Sequence, residues 1–218
     1  MHRRVSRQID FENDTVVRVV AAAKQLFAEF GHENVSLRRL TECADVNVAA
    51  VNYHFGSKQG LTEAVFEQLA EEATTIRKTR LAAWAAMDIE PREKLEELIS
   101  IFLEPYLGEG RDVEGRLLSR FFLQHRLKPT DGTNQIIETF HNPIALDFVQ
   151  ALSELRPRLN RDELIWRYIF MVNTVILTCA EDTSFKRITV LSGGEVTKTG
   201  RFERRTELLK FLVSAFWD

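Results

Sequence analysis

The chain has 218 residues, of which 44% are hydrophobic and 28% charged, with a formal net charge of −3. This describes an ordinary globular chain of one or two domains, long enough to bury a sizeable core. It excludes a nucleic-acid surface built on global charge, so any such surface must be a local basic patch.

In chain order, residues 1–12 read as an arm. Arg3, Arg4 and Arg7 are placed to reach the minor groove or backbone of DNA, with a solvated terminus as the plainer reading. No apolar stretch follows these charges, so no secretory signal is expected. Asp14 to Phe30 carries Val16, Val19, Val20, Ala23, Leu26, Phe27 and Phe30 at helical spacing, and Gly31 can end that helix in the left-handed conformation. A second start falls at Ser36, with Leu37, Leu40 and Ala44 inward and Arg38, Arg39 and Glu42 outward. Asn47 can cap a third helix, because an N-cap Asn accepts from an orphan backbone N–H. That helix, Val48 to about His54, is too short to be stable alone. It must be held by its neighbours and kept for what its exposed face touches. Helix, short helix, turn and short helix within about 45 residues is a helix-turn-helix arrangement.

From Lys58 a fourth helix runs past residue 80 and bridges two domains, with Leu61, Ala64, Val65, Leu69, Ala73, Ile76, Leu81 and Trp84 apolar. Its Arg77, Lys78 and Arg80 are read as solvated. Pro91 suits the first turn of a fifth helix, which fades at Gly108. Further helices are expected over 113–127 and 134–155, the latter kinked or split at Pro143, and from Asn160 to about Ala180. Residues 181–202 read as a long polar loop, and a last helix carries Leu208, Leu209, Leu212, Val213 and Phe216. About nine helices and no convincing strand make the chain all-α, divided at 1–60 and 61–218. No run approaches 18 apolar residues, so no membrane span is expected and the cytoplasm is the default.

Cys43 and Cys179 lie in helical apolar patterns and read as small buried hydrophobes. The five histidines show no metal spacing, no Gly-x-Ser-x-Gly elbow occurs, and the Leu191–Glu195 glycine pair has no phosphate loop to accompany it. No cofactor is implied and no enzyme reading has a residue to stand on.

The run Ala21-Ala22-Ala23-Lys-Gln-Leu26-Phe27-Ala-Glu-Phe30-Gly31, then Val35-Ser36-Leu-Arg-Arg-Leu40, then Val51-Asn-Tyr53-His54-Phe55-Gly-Ser57-Lys58-Gln-Gly-Leu61 resembles the TetR family of transcriptional regulators. The resemblance covers about residues 14–65. It implies that Ser36, Tyr53, His54 and Lys58 meet DNA phosphates, that Phe55 wedges the recognition helix into the core, and that Asn47 and the outward Arg38 and Arg39 lie at the interface. Val48 and Ala50 stand where many members carry Lys or Arg and Thr. Base reading then falls to Asn52, whose amide can pair bidentately with adenine, and to apolar contacts from Val48, Ala49 and Ala50 with thymine methyls.

The remaining chain is similar to the family's ligand-binding and dimerisation domain in helix number and length, with a weaker likeness to fatty-acid- and drug-responsive members. Trp84, Phe102, Tyr106, Arg120, Phe121, His125, Trp166, Phe170 and Asn173 are the candidate pocket residues, with Arg120 and His125 available to a carboxylate. The helices at about 162–180 and 203–217 are expected to pair two copies in a four-helix bundle. The reading is a homodimeric repressor of a pseudo-palindromic operator, released by a largely apolar small molecule. Its rivals are a DNA-binding regulator without an effector and an enzyme using the C-terminal cavity.

Overall fold

The structure, a computed structural model, describes residues 9–180, 186–196 and 200–217. The N-terminal arginines Arg3, Arg4 and Arg7 lie outside them. The chain divides into two units, 1–69 and 70–218. The division falls inside one helix and later than the boundary at residue 60, since the fourth helix contributes its first turns to the first unit. Among the described residues there is no strand.

In the first unit α1 (Asp14–Phe30), a 3₁₀ turn (His32–Asn34), α2 (Leu37–Ala44), α3 (Val48–Phe55) and the start of α4 (Lys58–Ala85) follow in order. Each of the four α-helices starts on a side-chain cap. Asn13 Oδ1 accepts from Thr15 N at 3.0 Å, Ser36 Oγ from Arg39 N at 3.2 Å, Asn47 Oδ1 from Ala50 N at 2.8 Å and Ser57 Oγ from Gly60 N at 3.1 Å. Val16, Val19, Phe27, Leu40 and Val51 are fully or almost fully buried. Each such side chain is worth about 1.5–3 kcal/mol removed from water, which is what holds two eight-residue helices that could not stand alone. Cys43 is not part of this core. It is exposed on α2, whose inward face is taken by Leu40, Thr41 and Ala44.

The second unit holds the rest of α4, α5 (Pro91–Leu107), α6 (Asp112–Leu127), α7 (Asp131–Ile136), α8 (Asn142–Leu155), α9 (Arg161–Ala180), α10 (Lys186–Leu191) and α11 (Arg201–Trp217). α6 lies along α9, α11 packs on α5 and α9, and α8 packs on α5 and α9. The 134–155 stretch is split next to Pro143, as its position predicts. The proline sits in the first turn of α8, and the chain enters α8 from α7 through a π turn, Ile137–His141, that departs from regular helix geometry. The segment 181–202 is not one loop, since α10 lies inside it and α11 begins at Arg201. α9 is long and apolar enough, by length and mean hydropathy, to cross a membrane, against expectation. The cause is that it is apolar on two faces. Leu164, Tyr168, Met171, Val175 and Ile176 are buried, while Trp166, Ile169, Phe170 and Leu177 are exposed.

Several arginines of this unit are paired with carboxylates. Arg80 reaches Glu97 at 2.9 Å and Glu104 at 3.1 Å, Arg205 shares Glu104 at 3.1 Å, Arg201 meets Asp112 at 3.4 Å and Arg111 meets Glu72 at 3.4 Å. Arg77 departs both from this pattern and from its reading as a solvated residue: it is only 3% exposed.

Candidate nucleic-acid interface

The helix-turn-helix is set by its turn. Asp45 closes α2 with φ at 51°, the left-handed region that a short polar residue tolerates better than a branched one. Val46 N donates to Thr41 O at 3.0 Å, and Arg18 on α1 donates to Asp45 O at 3.0 Å and Ala44 O at 3.3 Å. Arg18 is not marked as a site residue by the sequence, because nothing in its spacing on α1 shows it to be the clamp of a turn 27 residues later.

α3 leaves the turn with Val51 and Phe55 buried, one helical turn apart, so the opposite side faces water. Asn47, Val48, Ala49, Asn52 and Tyr53 are exposed there, Ala50 and His54 are half-buried, and Tyr53 shows 67% of its surface. Tyr53 and His54 meet edge to face, with ring centroids 5.0 Å apart. Gly56, at φ 76°, turns the chain out of α3 and its N–H caps Asn52 O. The Asn47 side-chain oxygen is occupied by its cap bond, which leaves its amide nitrogen for a partner.

The cations around α3 are placed but engaged. Lys58 Nζ donates to Glu33 O at 3.3 Å. Arg38 pairs with Glu42 at 2.9 Å, a bond that raises its pKa, and Arg39 stacks over the Phe30 ring at 3.8 Å. Both arginines are exposed, and exchanging such a surface contact for a phosphate costs little, since solvent screens exposed ion pairs. Ser36 accepts a cap bond through its oxygen, which leaves the hydroxyl proton to donate.

The pocket candidates of the second unit do not converge as one set. Phe102 and Tyr106 are buried together: the Phe102 ring meets Tyr106 at 6.1 Å, Phe148 at 5.4 Å and Tyr168 at 6.2 Å. Phe121 and Trp84 are buried, and Trp84 Nε1 donates to Lys94 O at 2.9 Å. Arg120, half-buried, donates to Ala180 O at 3.2 Å, and His125 Nδ1 lies 3.0 Å from Thr133 Oγ1. Asn173 accepts from Arg126. Trp166 and Phe170 are a correction, being 60% and 59% exposed on the outer face of α9 rather than in an interior pocket. Among the described residues of this unit the buried cation is Arg77, which the charge pattern of α4 places outward.

An all-α chain with a capped, outward-facing third helix after a clamped turn defines a helix-turn-helix protein with a helical second domain. Residues 19–65 match the model of bacterial regulatory proteins of the tetR family, and residues 100–215 that of the tetracyclin repressor-like C-terminal domain. The chain belongs to the TetR family.

The probable HTH-type transcriptional regulator YttP of Bacillus subtilis is 29% identical over 87 residues, and the regulatory protein RaaS of Mycobacterium tuberculosis 41% over 71 residues. These matches span 40% and 33% of this chain and 40% and 32% of those relatives, well under their full length. Among solved structures, a putative regulator from Saccharomonospora viridis in complex with choline superposes with a TM-score of 0.62 at 16% identity, over 90% of this chain and 94% of that one. A regulator from Rhodococcus sp. Rha1 gives 0.60 at 19%, over 92% and 94%. These likenesses extend the shared fold to both units.

Proposed function

We propose that the chain is a homodimeric repressor that binds a pseudo-palindromic operator and is released by a small molecule bound in its second unit. The observation that carries the DNA-binding part is the orientation of α3: Val51 and Phe55 anchor it, and Asn52 and Tyr53 stand on the free side. Two such helices in a twofold dimer enter successive major grooves about 34–36 Å apart. Tyr53, His54, Ser36 and Lys58 hold the backbone, with Arg38 and Arg39 beside them, and Asn52 reads base edges. Val48, Ala49 and Ala50 add apolar contact only, so some of the specificity comes from DNA shape.

Dimerisation is supported by the second apolar face of α9, where Trp166, Ile169, Phe170 and Leu177 recur at helical spacing and stay exposed, and by Phe211 on α11. A patch of this kind marks an interaction surface. The domain division follows the same logic, with the first unit for DNA and the second for ligand and partner. The site of action is the cytoplasm, where the operator is.

Selection of bound sequences from a random DNA library, followed by gel shift, tests the reading. Tyr53→Ala and Lys58→Ala weaken binding to every sequence and Lys58→Ala flattens its salt dependence, while Asn52→Ala changes sequence preference. A uniform loss of affinity in Asn52→Ala removes its base-reading role. No enrichment of any sequence by the wild-type protein removes the operator.

A further inference from the structure

We propose that Arg77 is the anchor for a carboxylate: the ligand of the second unit is an organic monoanion whose apolar body lies among Phe102, Tyr106, Phe148 and Tyr168. The proposal deepens the effector reading and rests on it.

The starting point is an imbalance of charge. Arg80, Arg111, Arg201 and Arg205 in this unit are all less buried than Arg77, and each has a carboxylate within 3.4 Å. Arg77 is 3% exposed, and among the described residues it makes no ion pair. One guanidinium nitrogen donates to Phe102 O at 2.7 Å, while its Nε is buried without a hydrogen-bond partner. The rest of its surroundings are aromatic side chains, of which Tyr106 also brings its phenol oxygen into a hydrogen bond with the guanidinium. Its central carbon lies 4.3 Å from the Phe102 centroid, 5.2 Å from Tyr106 and 5.8 Å from Phe148. Ring faces, the Tyr106 phenol and one carbonyl offset some of the cost of burying a charge, but a counter-ion with two oxygens offsets far more. An apolar residue of this size would leave the fold as stable or more so without such a counter-ion.

The neighbouring groups fit an anion and not a second cation. The Tyr106 and Tyr168 phenols are pushed above their usual range by burial, Tyr168 to about 12, so both remain O–H donors. His141 is pushed down to about 3, first by burial and then by the charges of Arg77 and His125, so it stays neutral beside the guanidinium. A single guanidinium balances one negative charge, which favours a carboxylate over a phosphate dianion. A π turn lies beside this cluster. His141 ends the π turn, and Thr74, one turn before Arg77 on α4, donates to Phe140 O in that turn at 3.1 Å. π turns inside helices often sit at functional sites. Arg77 therefore meets α5 and α8 close to the place where the chain entering α8 departs from regular helix geometry.

The opposing account is a strut: Pro105 offers no N–H to Ile101 O, and Arg77 steadies α5 by bonding the next carbonyl. A strut has no preference for acids. The test uses the full-length protein without DNA and measures binding of 1-naphthoate and decanoate against 1-naphthalenemethanol and 1-decanol by calorimetry and thermal unfolding. Each acid is expected to bind at least about tenfold more tightly than its alcohol, as a charge-assisted bidentate pair requires. That advantage disappears in Arg77→Met and is only reduced in Arg77→Lys.

Equal binding of acid and alcohol, full acid binding by Arg77→Met, or no binding of either acid overturns the proposal. The wild-type comparison needs no variant, so the proposal stays open to refutation even if Arg77→Met folds poorly. Alcohols that bind and release operator as well as the acids do would keep the effector reading and remove the anchor. A protein that binds acids through Arg77 but no DNA would do the reverse.

Discussion

A Cβ placed on Gly60 would lie 2.1 Å from the carbonyl oxygen of Phe55. The last residue of the recognition helix and the first turn of α4 are thus in backbone contact, and the absence of a side chain at residue 60 allows it. Gly60→Ala gains up to about 1 kcal/mol of helix propensity but must push the two backbones apart, which costs more, about 1–3 kcal/mol net of relaxation. The expected result is a lower urea midpoint with an unchanged slope, and a loss of DNA affinity larger than in an exposed control such as Gln59→Ala. An unchanged midpoint would show that α4 shifts freely against α3, and the coupling between the two helices would have to be abandoned.

The two cysteines differ in environment and should differ in reactivity. Cys43 is exposed on α2, while Cys179 is buried on α9 and its thiol is pushed up to about 12 by burial. The thiolate is the reactive form. Native protein treated with iodoacetamide near neutral pH takes up one label, on Cys43, and a second only on unfolding. Peptide mass mapping that finds Cys179 labelled first contradicts this packing.

How much of the fold and the site is legible in the sequence depends on the kind of signal. α3 can be bounded because Asn47 and Gly56 are punctuation with a mechanism, and Val51 and Phe55 lie one turn apart. On α9 helical spacing puts Ile165, Tyr168, Ile169, Val172, Val175, Ile176 and Cys179 on one stripe, of which Tyr168, Val175, Ile176 and Cys179 are buried and Ile169 is exposed. Trp166 and Phe170 are as apolar as Tyr168 and Met171, so periodicity does not place them outside. Arg77 fails for the opposite reason. A charged residue on a long helix is read outward by default, and only the rings of Phe102, Tyr106 and Phe148, brought from two other helices, reveal its burial. The clasp of Arg18 on Asp45 and the stacking of Arg39 on Phe30 are likewise tertiary facts without a local pattern.

His141 makes stability depend on pH in a definite direction. Its folded pKa is depressed to about 3 by burial, by Arg77 and by His125, against an ordinary value of 6.5. The unfolded chain therefore takes up a proton below pH 6.5 that the folded chain refuses. The contribution is fully present above the ordinary value and is lost as pH falls towards the folded one, at about 1 kcal/mol per pH unit. His125 and His32, also lowered first by burial, act in the same direction. Between about pH 6.5 and 5, above the range of ordinary carboxylates, urea midpoints of the wild type should fall steadily. In His141→Phe, which keeps a ring at the position 4.2 Å from Phe122, the fall should be shallower. Parallel curves would mean that His141 is solvated or charged in the folded protein.

The outer face of α9 gives the sharpest test of assembly. Trp166 and Phe170 pack on each other at 5.8 Å and leave more than half of each ring in water. Covering both rings in both subunits is worth on the order of 5 kcal/mol at the usual value for apolar burial. Because neither ring belongs to the monomer core, Trp166→Glu with Phe170→Glu should leave the helical content and the apo melting curve of the subunit close to wild type. The double variant places carboxylates from both subunits in the proposed twofold interface, where like charges repel and pay for desolvation. The expected mass by light scattering falls from a dimer to the 25.2 kDa chain. Affinity for a full operator then falls to that for an isolated half-site, since the second recognition helix no longer binds within the same particle. A variant that remains dimeric moves the interface to another surface, with Phe211 on α11 the next to be tested. A variant that becomes monomeric yet holds the full operator as tightly as the wild type would break the link between the α9 face and twofold DNA recognition.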